Sequence, residues 1–159
     1  MPYGRMTAHM EEVLRAHIAG LVVWDFGAGD GYYARRMLAL GARGVVAVEK
    51  EETFEAEGYP PNLCWLTYYF KNVPPPNEIA VAFVSWPVNN SESMRSLLPH
   101  LKVARKIVYL GKNDDATACG SPELFEFFTT LTVESEVADS RNDMIVYRNE
   151  NRPAPLGVL

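Results

Sequence analysis

Apolar positions follow two rhythms along the chain. In TAHMEEVLRAHIA, residues 7–19, Met10, Val13, Leu14 and Ile18 recur at helical spacing, with Thr7 placed to cap and Gly20 to stop. LVVWDF at 21–26 and GVVAVEK at 44–50 are instead unbroken apolar runs, the pattern of strands buried on both faces. Between them YYARRMLAL, 32–40, turns Ala34, Met37 and Leu38 inward before Gly41. Strand, turn, helix and strand in so short a stretch make a βαβ unit, which requires parallel strands and a right-handed crossover.

The same rhythms continue. EETFEAE at 51–57 reads as one or two helical turns, and LCWLTYYF at 63–70 as a strand rich in β-formers. Pro74, Pro75 and Pro76 make a rigid turn before the buried strand EIAVAFVSW, 78–86, which Pro87 ends. SESMRSLLPHL at 91–101 has helical spacing with a kink expected at Pro99. KIVYLGK, 106–112, is a fifth strand, and SPELFEFFTTL, 121–131, a helix with a capping serine and proline at its first position. TVESEVA, 132–138, and MIVYRN, 144–149, follow directly on each other and form a hairpin across 140–143. The alternation predicts a three-layer α/β fold in one domain over 1–150, with a flexible tail at 151–159.

Composition narrows the function. The chain has 159 residues, 48% hydrophobic and 22% charged, as in ordinary soluble domains. Runs such as Ile79–Val84 fall far short of the ~20 residues that span a bilayer, so no membrane association is expected. Net charge is −5, which removes the general attraction to nucleic acid that a basic surface provides. Cys64 and Cys119 lack metal-ligand spacing and read as reduced packing thiols, and the N-terminus has no apolar export core; both features predict a cytoplasmic protein.

The segment that carries chemistry is DFGAGDG, 25–31. Asp25 closes the first strand, and Gly27, Gly29 and Gly31 make a turn that lets a ligand approach the main chain. The following helix presents unpaired N–H groups suited to an anion. Glu49 ends the second strand, where a carboxylate accepts hydrogen bonds from both hydroxyls of a ribose.

DFGAGDG resembles the acidic-x-Gly-x-Gly-x-Gly signature of class I S-adenosylmethionine-dependent methyltransferases, and differs from the dinucleotide fingerprint, whose third glycine comes one residue later. The terminal hairpin also resembles the last two strands of that family's sheet. The resemblance implies a Rossmann-like fold with seven strands in the order 3-2-1-4-5-7-6, the last pairing antiparallel, and S-adenosyl-L-methionine as cofactor. A weaker similarity, through PYGRMT before the first helix and the small size, is to compact archaeal protein-lysine methyltransferases. Carried over, Asp25 holds the loop and receives the cofactor's ammonium, Gly27, Gly29 and Gly31 admit its methionine part, and Glu49 binds its ribose. Lys50 or Glu51 flanks the adenine. The family's acidic adenine contact after the third strand is missing here, and Phe70 in the segment Tyr69–Asn72 takes that region by stacking.

The acceptor belongs at the end of the fourth strand, FVSWPVNN. Amino-nitrogen methyltransferases often have Asn/Asp-Pro-Pro-aromatic there; this chain has Ser85-Trp86-Pro87-Val88. Ser85 accepts a hydrogen bond from an amine, and Trp86 stacks on a base or contacts a cation. The structural alternative has Ser85 and Pro87 ending the strand and Trp86 packed under the following helix. Tyr3, Tyr32, Tyr68 and Tyr69 are pocket-wall candidates with ordinary packing as the alternative. Asp114 and Asp115 lie beyond the fifth strand, where they can meet a cationic substrate or simply be solvated. His9, His17 and His100 form no dyad and read as solvated or capping. Three functions stay open: a methyltransferase for a protein lysine or small amine, a nucleic-acid or ribosome-linked one that needs a partner, and a cofactor-binding regulatory subunit without turnover.

Overall fold

The computed structural model describes residues 5–49, 60–67, 74–87, 91–112, 120–140 and 142–152, with backbone alone at 67 and 91–94. Its elements are α1 (Ala8–Ile18), β1 (Val22–Phe26), α2 (Tyr32–Ala39), β2 (Gly44–Glu49), β3 (Leu63–Thr67), β4 (Ile79–Ser85), α3 (Ser91–Lys102), β5 (Ala104–Gly111), α4 (Pro122–Phe128), β6 (Thr132–Ala138) and β7 (Asp143–Arg148). The seven strands form one sheet in the order β3-β2-β1-β4-β5-β7-β6. β1 to β5 are parallel, and β7 runs antiparallel to both β5 and β6. Strand order and hairpin are those the family resemblance implied.

Handedness decides what covers each face. From β1 to β3 the chain steps outward one way, and from β3 to β5 it steps back across β1. Right-handed crossovers therefore put α2 on one face and α3 on the other. The core divides accordingly. Met10, Leu14 and Ile18 of α1 and Ala34 and Met37 of α2 pack on Val23, Ala47, Phe83 and Leu110. Leu97 and Leu101 of α3 and Leu124 and Phe128 of α4 pack on Phe26, Ala82, Ile107 and Tyr109. Burial on both faces explains why β1, β2 and β4 are unbroken apolar runs.

Element ends follow local chemistry. Thr7 caps α1, accepting the Met10 N–H at 3.1 Å. The Ser121 hydroxyl accepts the Leu124 N–H at 3.4 Å, so α4 starts where the capping signal places it. It ends at Phe128 rather than 131, because Thr129 and Thr130 turn their hydroxyls back onto the Glu126 and Phe127 carbonyls. α3 continues through Pro99 to Lys102. Of the strand expected at 63–70, residues 63–67 are strand and the rest lie outside the described residues, as does the helical stretch expected at 51–57. No described helix is long and apolar enough to cross a membrane.

Several side chains depart from expectation. His17 is packed rather than solvated. Lys106 Nζ donates to its Nδ1 at 3.0 Å, and its Nε2 donates to Ser135 Oγ at 3.0 Å. The ring thus ties α1 to β5 and to the edge strand β6. Its pKa is lowered, chiefly by burial and then by Lys106, against an opposing pull from Glu134. His100, on the sheet-facing side of α3, is buried, with Nδ1 3.2 Å from the Ser96 carbonyl and its ring edge-on to Phe26. Cys64 is exposed, because β3 is the other edge strand; Cys119 lies outside the described residues. Asn151 and Arg152, expected in the tail, are anchored: Asn151 Nδ2 donates to the Thr130 carbonyl at 2.9 Å and Arg152 pairs with Glu78.

Candidate functional site

β1, β2 and β4 end together at the carboxyl edge of the sheet, where open α/β sheets bind ligands. The glycine turn is built there. The N–H groups of Gly27 and Ala28 both donate to the Val48 carbonyl, at 2.8 and 2.9 Å, and lash the loop to the end of β2. Gly27, Gly29 and Gly31 have φ of +78°, +57° and +83°, a region that L side chains rarely adopt. Among the described residues, nothing lies within 4 Å of where a Cβ on Gly27 or Gly29 would stand, so the loop presents bare backbone. At Gly31 a Cβ would lie 3.0 Å from the Trp65 ring.

That contact makes Gly31 a packing position as well as a turn. Gly31→Ala combines left-handed strain with a ring that must move, and should destabilise the fold by about 1–3 kcal/mol. Gly29→Ala bears the strain alone and should cost less. Urea unfolding of the two variants checks the order.

Two carboxylates meet at this loop. Glu49 Oε2 accepts the Gly29 N–H at 2.8 Å, so the residue read as a ribose ligand also holds the turn. Asp25 is fully buried, and alternation puts it on the face toward α1 and α2 with Val23. Among the described residues, neither of its oxygens has a hydrogen-bond partner. Burial, and secondarily the charge of Glu49, pushes its pKa up to about 8, so the group is neutral at pH 7. An unsatisfied buried carboxyl is costly, and such groups concentrate at functional sites.

The helix N-terminus behaves differently from expectation. Asp30 Oδ1 accepts the Tyr32 N–H at 3.0 Å, so the chain's own carboxylate engages the first turn of α2. Trp65 was missed by sequence reasoning. Its β-pairing with Ala47 places it on the α2 side, directly beneath Gly31.

At the end of β4, Ser85 and Trp86 are half-buried and Pro87 is buried. Trp86 has φ +46°, and among the described residues it is the non-glycine with positive φ. Its N–H donates to the Leu110 carbonyl at 2.7 Å, and its ring packs against the α3–α4 core. The kink ends the strand and turns the chain at the edge where Asp25 and Glu49 sit; backbone strain of this kind costs ~1–3 kcal/mol. The ring thus packs on the side the structural alternative expected, while staying half-buried at this edge. Tyr32 is described too, half-buried with its ring edge-on to Tyr33. Lys50, Glu51, Tyr3, Tyr68, Tyr69, Phe70, Asp114 and Asp115 lie outside the described residues.

The strand order with its antiparallel hairpin, and an acidic glycine turn at the end of β1, define the class I S-adenosylmethionine-dependent methyltransferase fold. Solved structures bear this out. A Thermoplasma acidophilum protein superposes with a TM-score of 0.66 at 17% identity, over 89% of this chain and 86% of its own. A SAM-dependent methyltransferase from Aquifex aeolicus gives 0.61 at 17% identity, over 87% and 88%. One from Mesorhizobium loti gives 0.60 at 11% identity, over 86% and 96%. No family model and no curated protein matches the sequence.

Proposed function

We propose that the chain is an S-adenosylmethionine-dependent methyltransferase acting on a nitrogen nucleophile, a protein lysine or a small amine. The observation that carries this is Asp25: a fully buried carboxyl without hydrogen-bond partners among the described residues, beside a bare glycine turn. A ligand that brings an ammonium group supplies the missing partner. The bare backbone of Gly27 and Gly29 accommodates its main-chain-like part, and Glu49 stands ready for ribose hydroxyls. When bound, S-adenosylmethionine supplies a methyl group already activated by its sulfonium.

What remains for the protein is to position the acceptor and to take up surplus protons. Ser85, half-buried at the end of β4, accepts a hydrogen bond from the incoming amine in this reading. Trp86, fixed by its strained backbone and half-buried, offers the open part of its ring face to a cationic chain. The chain's net charge of −5 favours a cationic acceptor over nucleic acid.

Purified protein with labelled S-adenosylmethionine should methylate lysine-bearing protein or a small amine, and not RNA. Transfer confined to RNA would overturn the acceptor assignment. Trp86→Ala should reduce turnover by about tenfold or more while leaving cofactor affinity within about twofold. Rescue by Trp86→Phe, with circular dichroism confirming the fold, separates this from simple unfolding.

A further inference from the structure

A second cleft opens at the opposite, amino-terminal edge of the sheet. Its volume is about 500 Å³, within the range of small-molecule sites, and it is lined by Leu21, Val22, Trp24, Glu78, Ile79, Ala80, Arg105 and Lys106. Val23 pairs with Val81, and Val81 with Lys106, so Val22, Ala80 and Arg105 form the next row toward that edge. Val22 lies four residues below Phe26, roughly 13 Å along the strand, which separates the cleft from the glycine turn.

Residues 74–78, which lead into β4, are not helical. Trp24 is left half-buried and Leu21 38% exposed.

Charge identifies the occupant. Arg105 and Arg152 both pair with Glu78 Oε1, so one carboxylate serves two guanidinium groups. Lys106 pairs with Glu134 at 3.4 Å, and its bond to Nδ1 of His17 requires that ring to be neutral. Among the described residues, Lys106 and Glu134 balance each other on the α1 side, while Arg105 and Arg152 share Glu78, which leaves a surplus of one positive charge beside the cleft on a chain that is acidic overall.

We propose that this cleft is a binding site for a small aromatic monoanion, a carboxylate or sulfonate. Its ring lies against Trp24, Val22 and Ala80, and its charge is taken by Arg105, on the same face of the sheet. Nothing in methyl transfer at the other edge requires this site.

The test uses 8-anilino-1-naphthalenesulfonate, an aromatic ring system with one negative charge, followed by its fluorescence on the folded full chain. Wild type should bind one equivalent saturably. Arg105→Glu, a change at a side chain 57% exposed, should weaken binding about tenfold or more. Ala80→Phe should block it by filling the floor, and saturating S-adenosylmethionine should leave it unchanged. Any of four results overturns the proposal. These are no saturable binding to folded wild type, binding that both variants leave intact, displacement by S-adenosylmethionine, and loss of binding as protein concentration rises. The last would mean that a second copy fills the cleft.

Discussion

Asp25→Asn should make the ligand-free protein more stable at pH 8 and a poorer binder of S-adenosylmethionine. The native carboxyl has a folded pKa of about 8 against an ordinary value of 3.8. A raised folded pKa means that its contribution to stability is complete below pH ~4 and is lost as pH climbs toward 8. Over that window the unfolded chain ionises and the folded one does not. At ~1.4 kcal/mol per unit, the loss is on the order of several kcal/mol, a large share of the ~5–15 kcal/mol typical of a domain. Asparagine does not titrate, so the stability difference between variant and wild type should shift in the variant's favour from pH 4 to pH 8. A melting difference that moves by about 10 °C or more across this range is expected. Ion pairs elsewhere on the surface are common to both proteins and cancel in the comparison. Thermal unfolding at several pH values checks it; parallel curves would refute it.

The same chemistry predicts how the cofactor binds. An ammonium group brought beside Asp25 favours the ionised form, so binding should release a proton, and affinity should rise as pH increases from 6 toward 8. Calorimetric heats for wild type should then depend on the ionisation enthalpy of the buffer. Those for Asp25→Asn should not.

Glu49→Ala should give the largest loss of cofactor affinity among single changes outside Asp25. The carboxylate holds the Gly29 N–H through Oε2 at 2.8 Å, and under the proposed function it also binds the ribose of the cofactor. A charge-assisted bond to the ligand is worth ~1.5–3 kcal/mol, or roughly tenfold or more in affinity. Loss of the loop contact adds to this by letting the Gly29 amide find other partners. Glu49→Gln keeps an acceptor for the Gly29 N–H but loses the charge, and should fall between alanine and wild type. Isothermal titration across the three proteins resolves the order. Equal affinity in all three would remove Glu49 from the site.

Much of this was legible in the sequence, for physical reasons. β1, α2 and β2 announce themselves because helix and strand periodicities are local, and three glycines in five residues fit a left-handed turn better than any packed element. The hairpin was readable from two adjoining β-rich runs. What the sequence hid depends on distant contacts. Trp65 reads as one more strand residue until its pairing with Ala47 brings it under Gly31. His17 reads as solvated because its partners, Lys106 and Ser135, come from the far end of the chain. The position of Asp25 at a strand end was plain, but its depth was not, since desolvation is set by the two layers packed around β1. The positive φ of Trp86 carries no sequence signal, because tryptophan is among the residues least expected there.

The most direct measurement is a calorimetric titration of folded wild-type protein with S-adenosylmethionine. A glycine turn with a buried Asp25 beneath it predicts one-to-one binding that Asp25→Asn and Glu49→Ala each weaken. A folded wild type that takes up no S-adenosylmethionine, or binds it as well without either carboxylate, would contradict the assignment.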